Sequence, residues 1–232
     1  MAIAFVQSTQ TGLAGASTAI AQAFGANVVA DNLLVAAIGF DVGSGSTNLS
    51  TITDTVGSVW ARARRHGPSA FLSELEVWYA VSAGSGANTV TAKWSTGAGQ
   101  SNRVLLIAEY SGNATASPLG VVASSTQSSS NPASGAATPS SGGDLIVGAL
   151  YDDDGSTSAW TAGAGFTIRA VSTVFAAAGA LEDFTQGSAA STQALFLRAS
   201  SGQSLVIMAT FKAAAAVTGN ATPWQGGLMG IQ

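Results

Sequence analysis

The chain has no cysteine and only one histidine among its 232 residues. Without cysteine there is no disulfide framework, no thiol catalysis and no thiolate metal site. The lone His66 leaves no histidine pair for zinc, and no serine nucleophile elbow accompanies it as a partner for general-base catalysis. These absences predict a protein that is not an enzyme.

Charge is equally scarce. Charged residues make up 9% of the chain and apolar residues 47%, whereas an average soluble domain has about 25% charged residues. The net charge of −4 argues against nucleic acid as a partner, because phosphate binding needs a basic surface. No apolar run approaches the ~20 residues of a membrane-spanning helix, so no membrane partner is expected. Low charge also favours assembly, because net charge keeps protein molecules apart in solution.

What the chain does contain is an internal repeat. The segment NLLVAAI at 32–38 recurs as DLIVGAL at 144–150, and VLLIAEY at 104–110 recurs as LVIMATF at 205–211. Two looser matches lie between them in the same order, which pair 57–63 with 164–170 and 75–78 with 181–184. The separation between matched segments shrinks steadily along the chain, as expected for a duplicated unit whose loops have changed length.

The patterns inside each unit predict strands. The continuous apolar runs at 33–40 and 145–151 are typical of strands buried on both faces, and 75–81 alternates in hydrophobicity. Residues 17–29 fit either a helix or a strand, and the Pro- and Gly-containing second copy favours a strand. With Gly/Ser/Asn turns between the runs, the prediction is an all-β fold. It is an antiparallel β-sandwich or jelly roll built from two repeated units of five to six strands.

Composition divides the chain into five parts. Two arrangements of the units are open. Each unit forms its own small sandwich, or residues 17–213 form one continuous sandwich. The thin core that a single unit would have favours the continuous sandwich. A Val121-Val122 pair suggests that the connector contributes a strand. The parts are an N-terminal strand or arm (1–16), the first β unit (17–112), a Ser/Pro-rich connector (113–143), the second β unit (144–213) and a C-terminal docking tail (214–232).

Candidate partner-binding residues lie in two places. The Gly-rich tail carries apolar side chains that are costly to expose, and docking onto a neighbouring subunit would cover them; packing back on its own domain is the alternative. Arg64 and Arg65, in the basic segment 62–66, are candidates for contact with an acidic neighbour, although a solvated strand end explains them equally simply. The apolar tail residues are Trp224, Leu228, Met229 and Ile231.

Acidic residues offer two further candidate sites. Asp152, Asp154 and Ser156 faintly resemble the alternating oxygen ligands of a Ca²⁺ loop, but the terminal bidentate Glu of such loops is missing, so a solvated turn without metal is the default. No cofactor is otherwise expected. Carboxylates on neighbouring strands could in principle serve a glycosidase. The repeat aligns Glu182 with Glu76, which indicates a structural role for that pair.

Two tryptophans are candidates for stacking on sugar. Trp94 and Trp160 lie near turns and have no aromatic counterpart in the other unit. Trp78, by contrast, aligns with Phe184 in the repeat, and a shared aromatic position indicates a core role. The sequence therefore leaves a glycan-binding face open at Trp94 and Trp160.

Several short motifs together resemble a known group of proteins. The motifs are LIAEYSG at 106–112, PL at 118–119, ATPSSGGDLIVG at 137–148, GAGFTIR at 163–169 and LED at 181–183. In this order they resemble a widespread group of β-sandwich proteins found in phage structural genes and among bacterial secreted proteins. The resemblance covers roughly residues 17–213. It implies the sandwich fold and carries no catalytic residues.

The N-terminus directs this resemblance toward the phage members. It lacks the basic and apolar regions of a signal peptide, so we expect a protein made in the host cytoplasm and located in the virion. The resemblance then implies a virion structural protein, and a capsid decoration or cement protein fits best. Its partners would be copies of itself or the major capsid or tail protein. The alternative is a carbohydrate-binding or adhesive module, including a tail or fibre subunit, that contacts a surface glycan.

Overall fold

A computed structural model describes residues 3–15, 17–42, 49–67, 72–95, 101–152, 159–174 and 177–215. These ranges contain strands and no helix, which confirms the predicted all-β class. The strands are β1 (Ala4–Leu13), β2 (Ala19–Ala23), β3 (Leu33–Asp41), β4 (Leu49–Asp54), β5 (Ala61–His66), β6 (Ser73–Val81), β7 (Thr89–Trp94), β8 (Ser101–Ser111), β9 (Leu119–Ser129), β10 (Leu145–Asp152), β11 (Thr161–Ala162), β12 (Thr167–Val174), β13 (Ala177–Thr185), β14 (Phe196–Leu197) and β15 (Gly202–Phe211).

Two five-stranded antiparallel sheets dominate the fold. The first sheet has the order β1-β8-β3-β6-β5, and the second, read from its β9 edge, has the order β9-β15-β10-β13-β12. Taken in chain order, the strands of the two sheets occupy the same positions. In each sheet the strand that comes first in the chain (β1 or β9) forms one edge and the second (β3 or β10) forms the centre. The last strand in the chain (β8 or β15) lies between those two. The two sheets therefore have the same connectivity.

Irregularities recur at matching places in the two sheets. The edge strand β5 shifts register against β6 between Arg62 and Arg64, and β12 shifts against β13 between Ile168 and Ala170. At the opposite edges, β1 shifts against β8 after Phe5, and β9 shifts against β15 after Leu119. Bulges bend a strand and increase its twist, so these matched bulges give the two sheets similar edges.

The two large sheets pack face to face around a central core. The first sheet contributes Leu33, Val35 and Val104 to it, and the second contributes Val147 and Ile207, among others. Strands β3 and β10 lie in the middle of the two sheets. Their alternate residues point into this core and away from it.

Smaller sheets cover the outer faces of the large ones. The three-stranded sheet β2-β7-β4 packs on the first sheet against residues such as Leu34 and Ile38. The pair β11-β14 and the segment around 133–137 cover the second sheet at Ile146 and Leu150. Every residue of β10 is buried, and so are all of β3 except its last. This confirms the double burial predicted from the apolar runs.

Segments outside the two predicted units also enter the sheets. The N-terminal segment forms β1, which pairs with β8. The connector provides β9, which pairs with β15, so its predicted strand is confirmed. Within 17–29, the strand β2 replaces the alternative of a helix.

One close contact ties the central strands together. A Cβ atom built on Gly39 of β3 would overlap the ring of Tyr151 on β10, so the tyrosine ring packs directly on the glycine backbone. The Tyr151 hydroxyl donates a hydrogen bond of 2.8 Å to Oδ1 of Asp41. Glycine is required here because any side chain would occupy the space of the ring.

We predict that Gly39→Ala lowers the free energy of unfolding by about 1–3 kcal/mol, because overpacking a filled core displaces its neighbours. Urea denaturation at constant pH measures the change. Gly84→Ala is the matched control, since nothing lies within 4 Å of a Cβ atom at that position. Equal stability of the two variants would contradict the contact.

Candidate interaction surface and the distribution of charge

Most acidic side chains of the described chain point inward. Each of these buried carboxylates accepts at least one hydrogen bond or ion pair from a donor within the protein, as buried charged groups must. The buried acidic residues are Glu74, Glu76, Glu109, Asp144, Asp152, Glu182 and Asp183.

Glu109 on β8 shows how such a carboxylate organises the fold. Its Oε1 accepts hydrogen bonds from Nδ2 of Asn32 at 2.7 Å and from the amide of Val29 at 2.9 Å. Its Oε2 accepts a bond of 2.6 Å from Nε2 of Gln7 on β1. One buried side chain therefore joins an edge strand, a central strand and the turn that precedes β3.

Glu182 on β13 plays a comparable part on the other sheet. Its carboxylate accepts hydrogen bonds from the amides of Leu195 at 2.9 Å and Gly163 at 3.3 Å, which lie beside β14 and β11. The pKa of Glu182 is raised to about 8, mainly by burial; the two amide bonds lower it and the neighbouring Asp183 adds to the rise. The carboxyl group thus holds the small covering sheet in place, although its burial makes ionisation difficult.

Glu74 and Glu76 lie together on β6 and bind the arginines of β5. Arg65 donates to Glu74 at 2.6 Å, and Arg62 lies 3.3 Å from Glu76. The indole of Trp78 donates a further bond of 2.6 Å to Glu76. Burial raises the pKa of Glu76 to about 7, and the adjacent Glu74 also raises it. Arg65, a predicted contact for a partner, therefore has an internal carboxylate to bind.

Arg64 differs from its neighbours on β5. Its side chain is exposed, and its Nε donates a hydrogen bond of 3.0 Å to the Ser124 hydroxyl on β9. Next to it, His66 lies 2.9 Å from the Thr126 hydroxyl, and burial together with Arg64 lowers the pKa of His66. Among the described residues Arg64 has no carboxylate partner, so of the two predicted arginines it is the one open to an acidic neighbour.

The alignment of Glu182 with Glu76 needs correction. Ala36 and Gly148 match in the repeat, but Ala36 lies opposite Trp78 whereas Gly148 lies opposite Glu182. Glu182 therefore takes the place of Trp78, two residues away from the predicted match. A slip of two residues keeps a side chain on the same face of a strand, so the hydrophobic pattern alone did not reveal it.

The two tryptophans predicted to stack on sugar are buried. Trp94 is 4% exposed, and its ring lies edge-on to Phe40 at 5.2 Å and beneath the guanidinium of Arg103 at 5.3 Å. Trp160 is 5% exposed and packs in the same way against Phe196 and Arg198. Neither indole presents a face to solvent. Their position near turns in the sequence led to the prediction of exposed rings. In the fold, both rings are enclosed between the small covering sheets and the large ones.

The candidate Ca²⁺ loop is described only at Asp152. This carboxylate is buried and forms an ion pair with the buried guanidinium of Arg198, which also lies over Trp160. A guanidinium beside the carboxylate supplies the positive charge that a metal ion would bring. Asp154 and Ser156 lie outside the described residues. Within the described ranges, no three metal-ligating side chains come together.

The described surface is consequently almost free of charge. Its only carboxylate classed as exposed is that of Asp31, and its exposed basic residues are Arg62, Arg64 and Lys93. Nor does a pocket open on this part of the chain. The predicted anchors Trp224, Leu228, Met229 and Ile231 lie outside the described residues. Most acidic side chains of the described chain are therefore internal, and few charged side chains are exposed on its surface.

We predict that the free energy of unfolding falls as pH rises from about 5 to 8. The pKa of Glu182 is raised to about 8 in the folded chain from an ordinary value of 4.5. In this interval Glu182 binds more protons in the folded state than in the unfolded state, so the stability that this group contributes is fully present below 4.5 and is lost towards 8. Between these limits the free energy of unfolding should fall by roughly 1 kcal/mol as the pH rises by one.

The variant Glu182→Gln should flatten this dependence. Glu76, whose pKa is also raised, keeps part of the fall, and His66, whose pKa is lowered, opposes it. Thermal unfolding of both proteins at pH 5, 6, 7 and 8 measures the difference. Asp31→Asn, which removes an exposed carboxylate, serves as the control and should keep the slope of the natural sequence. A slope in Glu182→Gln equal to that of the natural sequence would contradict the assignment.

Comparison with known proteins supplies no ready function. The chain matches no protein-family model, no curated protein and no solved structure. No helix in the described part of the chain has the length and apolarity needed to cross a membrane. The features that bear on function are therefore the charge distribution, the sheets and the resemblance noted in the sequence.

Proposed function

We propose that the chain is a non-enzymatic structural protein of a phage virion, located in the particle as a capsid decoration or cement protein. The observation that carries this proposal is the inward orientation of the acidic side chains, which leaves few charged groups on the described exterior. With so few exposed charges, copies and partners approach each other with little electrostatic repulsion. The sequence resemblance to phage structural proteins supports the same role.

The proposed binding uses sheet surfaces and the C-terminal tail. A stable interface buries about 1,600 Å² in total, and tryptophan is enriched among the residues that dominate binding energy. Trp224 would be the main anchor, with Leu228, Met229 and Ile231 beside it. Arg64 adds an exposed cation for an acidic partner. The partners are copies of the chain itself and the major capsid or tail protein.

The glycan-binding alternative is less well supported. Sugar stacking needs an aromatic face open to solvent, and Trp94 and Trp160 are both enclosed. The ion pair between Asp152 and Arg198 also disfavours Ca²⁺ at that carboxylate. We therefore propose a single function.

We predict that the chain is present in purified virions. Particles from a lysing culture of a strain that carries the gene would be banded on a density gradient and digested with trypsin. Mass spectrometry should detect peptides of this chain at a fixed ratio to the major capsid protein. Peptides found only in the soluble fraction, with none in the band, would overturn the proposal.

We further predict that deleting residues 217–232 abolishes incorporation into these particles and leaves the sandwich folded. The described sheets end at Phe211, so the melting temperature should change little. Trp224→Ala should reduce incorporation at least tenfold, whereas Val59→Ala, which changes an exposed side chain of the sandwich, is the control. Normal incorporation of the folded, truncated chain would contradict the role of the tail.

A further inference from the structure

The edge strand β1 has an open backbone edge. It forms one margin of the first sheet, and within the described ranges its backbone bonds only to β8. From Gln7 to Leu13 its register is unbroken. Such an edge presents a row of unpaired amide and carbonyl groups that can pair with another strand.

The composition of β1 does nothing to block such pairing. Proteins commonly protect an exposed edge with charged residues or proline, and the ten residues of β1 include neither. At the opposite edge of the same sheet, β5 carries Arg62, Arg64 and Arg65. The β5 edge of this sheet is thus protected by charge against pairing with another strand, and the β1 edge is not.

The charges on the strands that pack against β1 and β9 explain why β1, rather than β9, is suited to pairing with the same strand of a second copy. β9 is also uncharged, but the exposed Arg64 of β5 bonds to it, so a β9 pair would bring these cations together. Beside β1, the cation of β12 is neutralised. Arg169 forms a 2.8 Å ion pair with Asp183 and lies over the ring of Phe5 at 4.0 Å.

Apolar exposure adds to this argument. Val6 and Leu13 of β1 are 43% and 38% exposed, and they are two of the few large apolar side chains that the described chain leaves open. Covering them on association would contribute favourably, because apolar surface gains free energy when it is removed from water. A second copy brings the same side chains and no opposing charge.

We propose that β1 pairs with β1 of a second copy, antiparallel about a twofold axis, so that the first sheets of both copies become one continuous sheet. In such an isologous pair residue i of one copy faces residue j of the other and j faces i, so only residues near the axis face their own counterparts. We place the axis at Gln10, the midpoint of the unbroken stretch from Gln7 to Leu13, which brings the two Gln10 side chains together. The inference rests on the proposed function as an assembling protein and identifies the surface through which copies associate.

A charge placed on β1 tests the pairing. The side chain of Gln10 is exposed, so Gln10→Lys should leave the melting temperature of the monomer, measured well below Kd, unchanged. In the pair, the two like charges oppose each other. Sedimentation equilibrium over a concentration series should show a dimer of the natural chain and at least a tenfold higher Kd for the variant. An equimolar mixture of Gln10→Lys and Gln10→Glu should restore dimers. Ser128→Lys, which adds the same charge to β9, is the control and should retain the natural Kd.

Amide hydrogen exchange gives a second measurement without any substitution. Amides of β1 should exchange more slowly at a concentration well above Kd than at one well below it. The proposal is overturned by a natural chain that stays monomeric, by unchanged dimerisation of Gln10→Lys, or by exchange in β1 that is independent of concentration. A monomer found in virions would overturn the β1 pair alone, whereas a β1-paired chain absent from virions would overturn the proposed function alone.

Discussion

The whole molecule depends on the burial of two five-stranded sheets on both of their faces. The sheets share a central core, and each has its outer face covered by shorter strands. A sheet buried on both sides needs apolar residues at consecutive positions, which accounts for the continuous runs of β3 and β10. It also permits contacts as close as that of Gly39 with Tyr151, because no solvent layer separates the central strands.

Double burial also determines where the charges lie. A carboxylate on a covered strand cannot reach water, so it must find donors within the protein. Glu109 and Glu182 recruit backbone amides, and Glu74 and Glu76 recruit the arginines of β5. These bonds fasten turns and covering strands to the large sheets. They also keep most carboxylates off the described surface, so one constraint produces both the internal order of the fold and the small number of charges on its described exterior.

A sheet covered on both faces remains accessible at its edges. In the first sheet the two edges differ, since β5 carries three arginines and β1 carries no charge. Backbone groups at an edge gain hydrogen bonds by pairing with another strand, and nearby like charges oppose such pairing. The edges therefore connect the internal architecture with the proposed assembly.

The sequence by itself was sufficient to predict the all-β class, the double burial of β3 and β10, and the strand from the connector. These features follow from local composition and from the two-residue period of a strand, which are read directly from neighbouring residues. The tertiary structure alone decided which side chains Trp94, Trp160 and Asp152 contact, and which residue of β6 corresponds to Glu182. A period of two gives the face of a residue but not its register, and the cover over a side chain comes from strands distant in the chain.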